Sequence, residues 1–436
     1  MDSSTGAVRL AWVGRAMIPG TTQWCEIDPK TLMEFPNQQA TDRPSAASGI
    51  ADSYDMREHL SPRRMTMAMW DQAFLLRHGP GGSFEDFDRV LDETIERGYN
   101  TVRLDPMPQW VDLANPSKVL EWPDPKKPMM PWCWDSAVKG PVGEWTIEFM
   151  EKLLARPFLH YTISAWWFCN VPPATGQPGP PVLRLPRNHQ EGAEMWIEML
   201  TEWKRRFGFD RLVYVDLANE VPFFFPGFRE RLKAETGADW DAPELSAAQI
   251  QFVASELNAA LRMLRREFPE LRYTCSIHGD LRWLDIPVEL DCLDVHFYAD
   301  ADPRWDDRTR FADFIKQDLF KSDAWYAEFS QRCAAARTAM APMSRARQRH
   351  KLGQFAAWAK QRGAPLTTTE SWASWFHYDH PDLDWGWLLE WAAWSVEDAI
   401  DFDMWGWTPH NYLQPQFANW NDVEWHRKLT DRFLNS

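Results

Sequence analysis

A chain of 436 residues with 44% hydrophobic and 25% charged side chains has the make-up of a globular protein that can bury a large core, which excludes disordered and collagen-like classes. Its formal net charge of -16 excludes binding driven by phosphate contacts, so no nucleic-acid partner is expected. The six cysteines (Cys25, Cys133, Cys169, Cys275, Cys292, Cys333) are scattered without metal-ligand spacing and read as reduced thiols.

The opening Met1-Asp-Ser-Ser-Thr-Gly lacks the basic-then-apolar order of an export signal, and no run of about eighteen apolar residues follows anywhere. A cytoplasmic protein with no membrane partner is the expectation. Residues 1–62 carry Pro, Gly, Ser and Asp clusters with little periodicity and predict an N-terminal extension packed on a main domain, residues 63–436. From there strand and helix alternate, the pattern of βαβ units and a parallel sheet.

Strand one is predicted over Met65–Trp70, with a helix opening at a capping-box-like Ser83-Phe-Glu-Asp86 and stopping at Gly98. Strand two, Tyr99–Leu104, leads into a long Pro- and Trp-rich loop, and strand three, Leu159–Trp166, into a second one. A helix over about 190–207 precedes strand four, Leu212–Leu217, and a capping box Ser246-Ala-Ala-Gln249 opens the next helix. Strand five is Tyr273–His278 and strand six Cys292–Tyr298. A helical region over about 310–362, irregular in its middle, precedes strand seven, which ends at Glu370, and strand eight is Phe402–Trp407.

Eight strands with intervening helical segments predict a single (β/α)8 TIM barrel with long strand-to-helix loops, and closure at eight accounts for the length without a further domain. In such a barrel the C-terminal strand ends share one face, where chemistry is done. Glu220 and Glu370 fall at two of those ends, so two carboxylates are expected to meet there. The 27 tryptophans are the compositional outlier. Many lie near strand ends or in loops (Trp70, Trp110, Trp122, Trp132, Trp134, Trp166, Trp167, Trp372, Trp375, Trp405, Trp407), where an indole face could stack on a sugar ring, although Trp is also a common core residue.

Asn219-Glu220 at the end of strand four and Glu370 at the end of strand seven, in this order and with this spacing, resemble clan A of the glycoside hydrolases, the retaining barrel enzymes that include the cellulase-like family 5. The resemblance covers roughly residues 65–412. It implies that Glu220 is the general acid/base and Glu370 the nucleophile, with carboxyl groups about 5 to 5.5 Å apart. Glu220 would then hold a proton near neutral pH while Glu370 stays ionised. Arg103 would keep Glu370 charged, unless it serves only as a structural partner of Asp105. Asn219 would contact the sugar 2-hydroxyl. His296 and Tyr298, two apart on strand six, share a face, with Tyr298 donating to Glu370.

One of Trp405 and Trp407 would floor the cleavage subsite, and Trp70, Asp71, Asp105, His278 and Asp280 are further mouth candidates. Family 5 enzymes usually carry a His near the end of strand three or four; here Trp166, Trp167 or Asn170 would stand in. His377, Asp379 and His380 read as a solvated loop cluster, and neither a metal nor a cofactor is expected. The implied substrate is a β-linked glycoside or small oligosaccharide, of β-glucoside or β-mannoside type, with long loops favouring exo-action. A non-catalytic sugar-binding barrel and a transglycosidase are the competing readings.

Overall fold

The computed structural model describes residues 14–17, 24–27, 60–122, 136–167, 184–298, 302–310, 323–374, 377 and 379–436. Trp132, Trp134, Trp375 and Asn170 lie outside them. The chain divides into two compact units, Met1–Tyr54 and Asp55–Ser436. In the first, Gly14–Met17 and Trp24–Ile27 pair as an antiparallel hairpin.

The second unit is a parallel barrel. Its strands are β1 (Met65–Asp71), β2 (Thr101–Leu104), β3 (His160–Ile163), β4 (Leu212–Asp216), β5 in two pieces (Tyr273–Thr274 and Ile277–His278), β6 (Leu293–Tyr298), β7 in two pieces (Leu366–Thr367 and Ser371–Trp372) and β8 (Gly406–Trp407). Parallel ladders join each strand to the next from β1 to β7, and β8 to β1. The Trp405 amide donates to the Leu366 carbonyl at 2.7 Å and the Thr368 amide to that of Gly406 at 3.3 Å, which closes the ring. The expected eight-stranded barrel is what forms.

Main helices follow seven of the strands: α1 (Phe87–Glu96), α2 (Val142–Leu154), α3 (His189–Phe207), α4 (Ala247–Glu267), α5 (Asp323–Arg362), α6 (Gly386–Asp401) and α7 (Val423–Leu434). After β5 there is only a 3-10 turn, Leu281–Asp285. The capping box at Ser246 and Gln249 forms as expected. At α1 the cap is Asp86, whose carboxylate accepts from the Arg89 amide at 3.1 Å, so the helix opens three residues after the predicted Ser83. Helix α5 runs unbroken through Pro342, where an irregular middle was expected. The loop after β2 carries a short antiparallel pair, Leu120–Trp122 with Val138–Gly140, that periodicity alone did not show.

Fully buried strands alternate between the barrel interior and the helix layer. The interior floor is plugged by Met65, Met67, Val213, Tyr214, Cys292 and Trp405. Gly406 is required in this tight space, because a Cβ there would sit 2.1 Å from Thr367 Oγ1 and under 3 Å from the Met65 and Met67 methyl carbons. The outer faces pack against the helices in one continuous apolar cluster. Cys275, Cys292 and Cys333 are free and buried, as read from the sequence. No helix among the described residues is long and apolar enough to cross a membrane.

Candidate active site

Glu220 follows β4 in a loop pinned to both neighbouring strands. The Asn219 amide donates to the Ala165 carbonyl at 3.0 Å, and the Glu220 amide to Ser276 Oγ at 3.1 Å. Glu220 itself adopts a left-handed backbone with φ +50°, a conformation costing a non-glycine residue roughly 1–3 kcal/mol and found where function over-determines geometry. Glu370 sits in the break between the two pieces of β7. There Thr368 Oγ1 donates to its carbonyl at 2.8 Å and the next amide, Ser371, donates to Asn411 Oδ1 at 3.0 Å.

The two carboxylates face each other. One oxygen of Glu220, one of Glu370 and a ring nitrogen of His296 all lie within 4.8 Å of one another, each side chain buried. Glu370 Oε1 accepts from Arg103 Nη1 at 2.5 Å, and Oε2 from the Tyr298 hydroxyl at 2.7 Å. Arg103 spreads further: it donates twice to Asp105 at 3.1 and 3.0 Å, to Asn219 Oδ1 at 2.6 Å and to Thr369 Oγ1 at 3.2 Å. Both readings of Arg103 therefore hold at once, since it grips Glu370 and Asp105 together. The Asn219 amide nitrogen is buried with no partner among the described residues, a donor left over for something else.

Glu220 carries two imidazoles. His296 Nδ1 lies 2.7 Å from Oε1, and His278 Nε2 lies 2.8 Å from Oε2. Burial pushes the Glu220 carboxyl up, but the charges and hydrogen bonds of His278 and His296 outweigh it and hold the group well below the usual carboxylate range. Burial likewise disfavours the charged His296, yet Glu370 and Glu220 beside it push its pKa up to about 9. The resting proton therefore sits on His296 rather than on Glu220, which corrects the expectation of a protonated Glu220. Because the two groups are 2.7 Å apart, they titrate as one unit that holds one proton at neutral pH.

Glu220, His296 and Glu370 are also the set that could offer three ligand atoms to a cation. The Arg103 guanidinium already occupies Glu370 Oε1 and brings a positive charge to the same oxygen, so the donors are engaged by protons. Asp71, with φ +53°, lies behind this cluster. Burial and the Asp105 carboxylate push its carboxyl well above the usual range, and the side chain is fully buried rather than lining the mouth.

A family model described as cellulase-like, sugar-binding cellulase-like, matches residues 67–434. The chain belongs to that sugar-binding, cellulase-like family. No curated protein matches it. Among solved structures, a provisionally assigned glycoside hydrolase from Parabacteroides distasonis is similar at 23% identity and TM-score 0.67, over 85% of this chain and 93% of that one. The endocellulase of Pyrococcus horikoshii has 12% identity and TM-score 0.43 over 84% of this chain and 93% of its own. The endo-1,4-β-mannanase of Rhizomucor miehei has 8% identity and TM-score 0.44 over 86% and 95%.

In this cellulase-like chain, Arg103, Asn219, His296 and Tyr298 come together around the two glutamates, whereas Trp70, Trp405 and Trp407 do not. Trp405 is fully buried at the barrel floor, its indole N–H donating to the Pro62 carbonyl at 2.8 Å. Trp407 adjoins the interior-facing Gly406 and so points outward, where it donates to Ser395 Oγ at 2.8 Å and packs on Phe433. Trp70 is likewise in the helix layer, against Phe84 and Phe149, and donates to the Leu413 carbonyl. Trp166 packs on Phe224 in the loop after Glu220 and is nearly fully buried.

His377, expected in a solvated loop, is buried among Trp385, Trp387 and Tyr412, and burial lowers its pKa to about 3. Three site residues were not singled out by the sequence reading. Asn411 Nδ2 donates to the Tyr298 hydroxyl at 2.8 Å. Thr369 Oγ1 joins Arg103 to Asp294, and Ser276 Oγ braces the Glu220 amide. Thr369 adjoins Glu370 and was findable on that ground; Ser276 and Asn411 carry no local signature.

Proposed function

We propose that this chain is a retaining glycoside hydrolase acting on β-linked glycosides or oligosaccharides, with Glu370 as nucleophile and Glu220 as acid/base. The observation that carries the proposal is the approach of one oxygen of each carboxylate to within 4.8 Å, which suits a retaining pair, with carboxyl groups about 5 to 5.5 Å apart, better than an inverting one at about 6.5 Å or more. A Glu370 oxygen bonds to the anomeric carbon as the glycosidic C–O bond breaks, its electron pair going to the leaving oxygen. That oxygen takes its proton from Glu220. Glu220 then removes a proton from water, whose oxygen attacks the same carbon and releases the Glu370 carboxylate.

Glu220 obtains its proton from His296, since moving it across their hydrogen bond converts an ion pair into a neutral acid and a neutral imidazole. That proton arrives on Oε1, the oxygen that His296 Nδ1 meets, so Oε1 hands it to the leaving oxygen while His278 stays on Oε2. The free Asn219 amide nitrogen is the donor for the 2-hydroxyl, a contact that strengthens in the transition state.

Stereochemistry decides the mechanism. Proton NMR of early hydrolysis of an aryl β-glucoside or β-mannoside should show the β-anomer of the free sugar first; the α-anomer first would mean inversion, and no product from any glycoside would favour a binding barrel. Adding a sugar acceptor would divert the product if the chain is a transglycosidase.

The proton relay makes its own prediction. The alkaline limb of kcat/KM should follow the Glu220–His296 unit, with activity kept at neutral pH and lost as pH rises through about 9. In His296→Asn only a carboxyl remains to hold the proton, so that limb should move down by about 2 units. An unmoved limb would remove His296 from the relay.

A further inference from the structure

Beside the catalytic pair a second recess opens, a cavity of about 360 Å³ between the ends of β5 and β6 and the middle of α5. One wall is His278, His296 and Tyr298, which are already part of the site. The other is a stripe of α5: Ser344, Arg347, Gln348 and Lys351, spaced three and four apart so that one helix face presents all four. The volume is that of a ligand site rather than a packing defect.

The chain carries a net -16, whereas this recess is lined by two cationic side chains, Arg347 and Lys351, and two carboxylates, Asp280 and Asp302. Asp302 is shared between Arg304 at 2.6 Å and Arg347 at 2.8 Å, and Asp280 is held by Arg282 at 2.5 Å. Lys351 makes no ion pair or hydrogen bond among the described residues, although it lines the cavity and is partly buried. Burial and neighbouring Arg347 push its pKa down, against the opposing pull of Asp280 and Asp302, which line the same cavity. Ser344 Oγ is also buried there without a partner among the described residues. An ammonium and a hydroxyl withdrawn from water without partners are costly unless a ligand completes them.

We propose that this recess is a subsite for a negatively charged substituent of the sugar chain, a uronate carboxylate or a sulfate ester, received by Lys351 with Arg347 and Ser344 at its rim. A carboxylate or sulfate oxygen would supply the acceptor that Lys351 and Ser344 lack. A neutral hydroxymethyl group would leave the ammonium unpaired. The subsite rests on the hydrolase reading for its biological meaning, but its ligand chemistry is tested separately.

Calorimetric titration of the full chain with glucuronate, glucose 6-sulfate and glucose reads the subsite directly. One or both anions should bind at least about tenfold more tightly than glucose, the winner showing which anion is meant. Lys351→Met should weaken that anion by about 10- to 100-fold while changing glucose far less, and Lys351→Arg should restore much of it. Unchanged melting temperatures would show that both variants fold. Equal binding of glucose and both anions, no anion binding, or an unaffected Lys351→Met variant would each overturn the subsite. Hydrolysis of neutral glycosides without anion binding would sink the subsite alone, and anion binding without hydrolysis of any glycoside would sink the hydrolase reading alone.

Discussion

Replacing Glu370 with alanine should lower kcat/KM on an aryl β-glycoside by roughly 10⁵-fold, the scale on which an enzyme loses its covalent nucleophile. The side chains hydrogen-bonded to Glu370 Oε1 and Oε2, Arg103, Tyr298 and Asn411, are donors that hold the carboxylate and not carboxylates that could replace it. Glu220→Ala should behave differently. An activated aryl leaving group needs little proton assistance, so the glycosyl-enzyme still forms but waits for a base to activate water. Both kcat and KM should fall, and azide, which needs no base, should restore turnover and give a β-glycosyl azide. If Glu370→Ala and Glu220→Gln each kept wild-type activity, the assignment of both residues would collapse. An azide adduct from the Glu370 variant with inverted configuration would support the nucleophile from the opposite side.

The barrel was legible because its evidence is repetitive. Eight apolar strand-like runs, each needing cover on both faces, leave few arrangements, and boundaries erred only by a few residues, as at β8, where a predicted six-residue strand is a two-residue ladder. Glu220 and Glu370 were legible because a strand end fixes which face a residue serves. His296 and Tyr298 share a face by the alternation of side chains along β6, while Arg103 and the roles of all three came from the resemblance to clan A.

Trp405 and Trp407, expected at the cleavage subsite, lie elsewhere for a physical reason. An indole at a strand end can stack on a sugar or fill the wide space between barrel and helices, and sequence does not say which side of the strand it leaves. Gly406 decides the matter for β8, since only it fits the crowded interior, and that close approach is visible in three dimensions alone. Protonation was hidden similarly. His278 lies 58 residues from Glu220 and His296 a further 18 along, yet both imidazoles close on one carboxylate and move its proton elsewhere.

Arg103 should be as costly to remove for stability as Glu370 is for activity. It is buried, and its charge is held by Asp105 and Glu370, with Asn219 and Thr369 taking the remaining donors. Arg103→Met fills similar space but strands two buried carboxylates, and breaking a buried ion pair from one side costs about 3–5 kcal/mol. Arg103→Lys should recover little, because one ammonium cannot make the paired contacts to Asp105 and still reach Glu370 and Asn219. Urea midpoints for wild type and both variants at neutral pH measure this directly. A loss under about 1 kcal/mol would show that the buried carboxylates do not depend on Arg103.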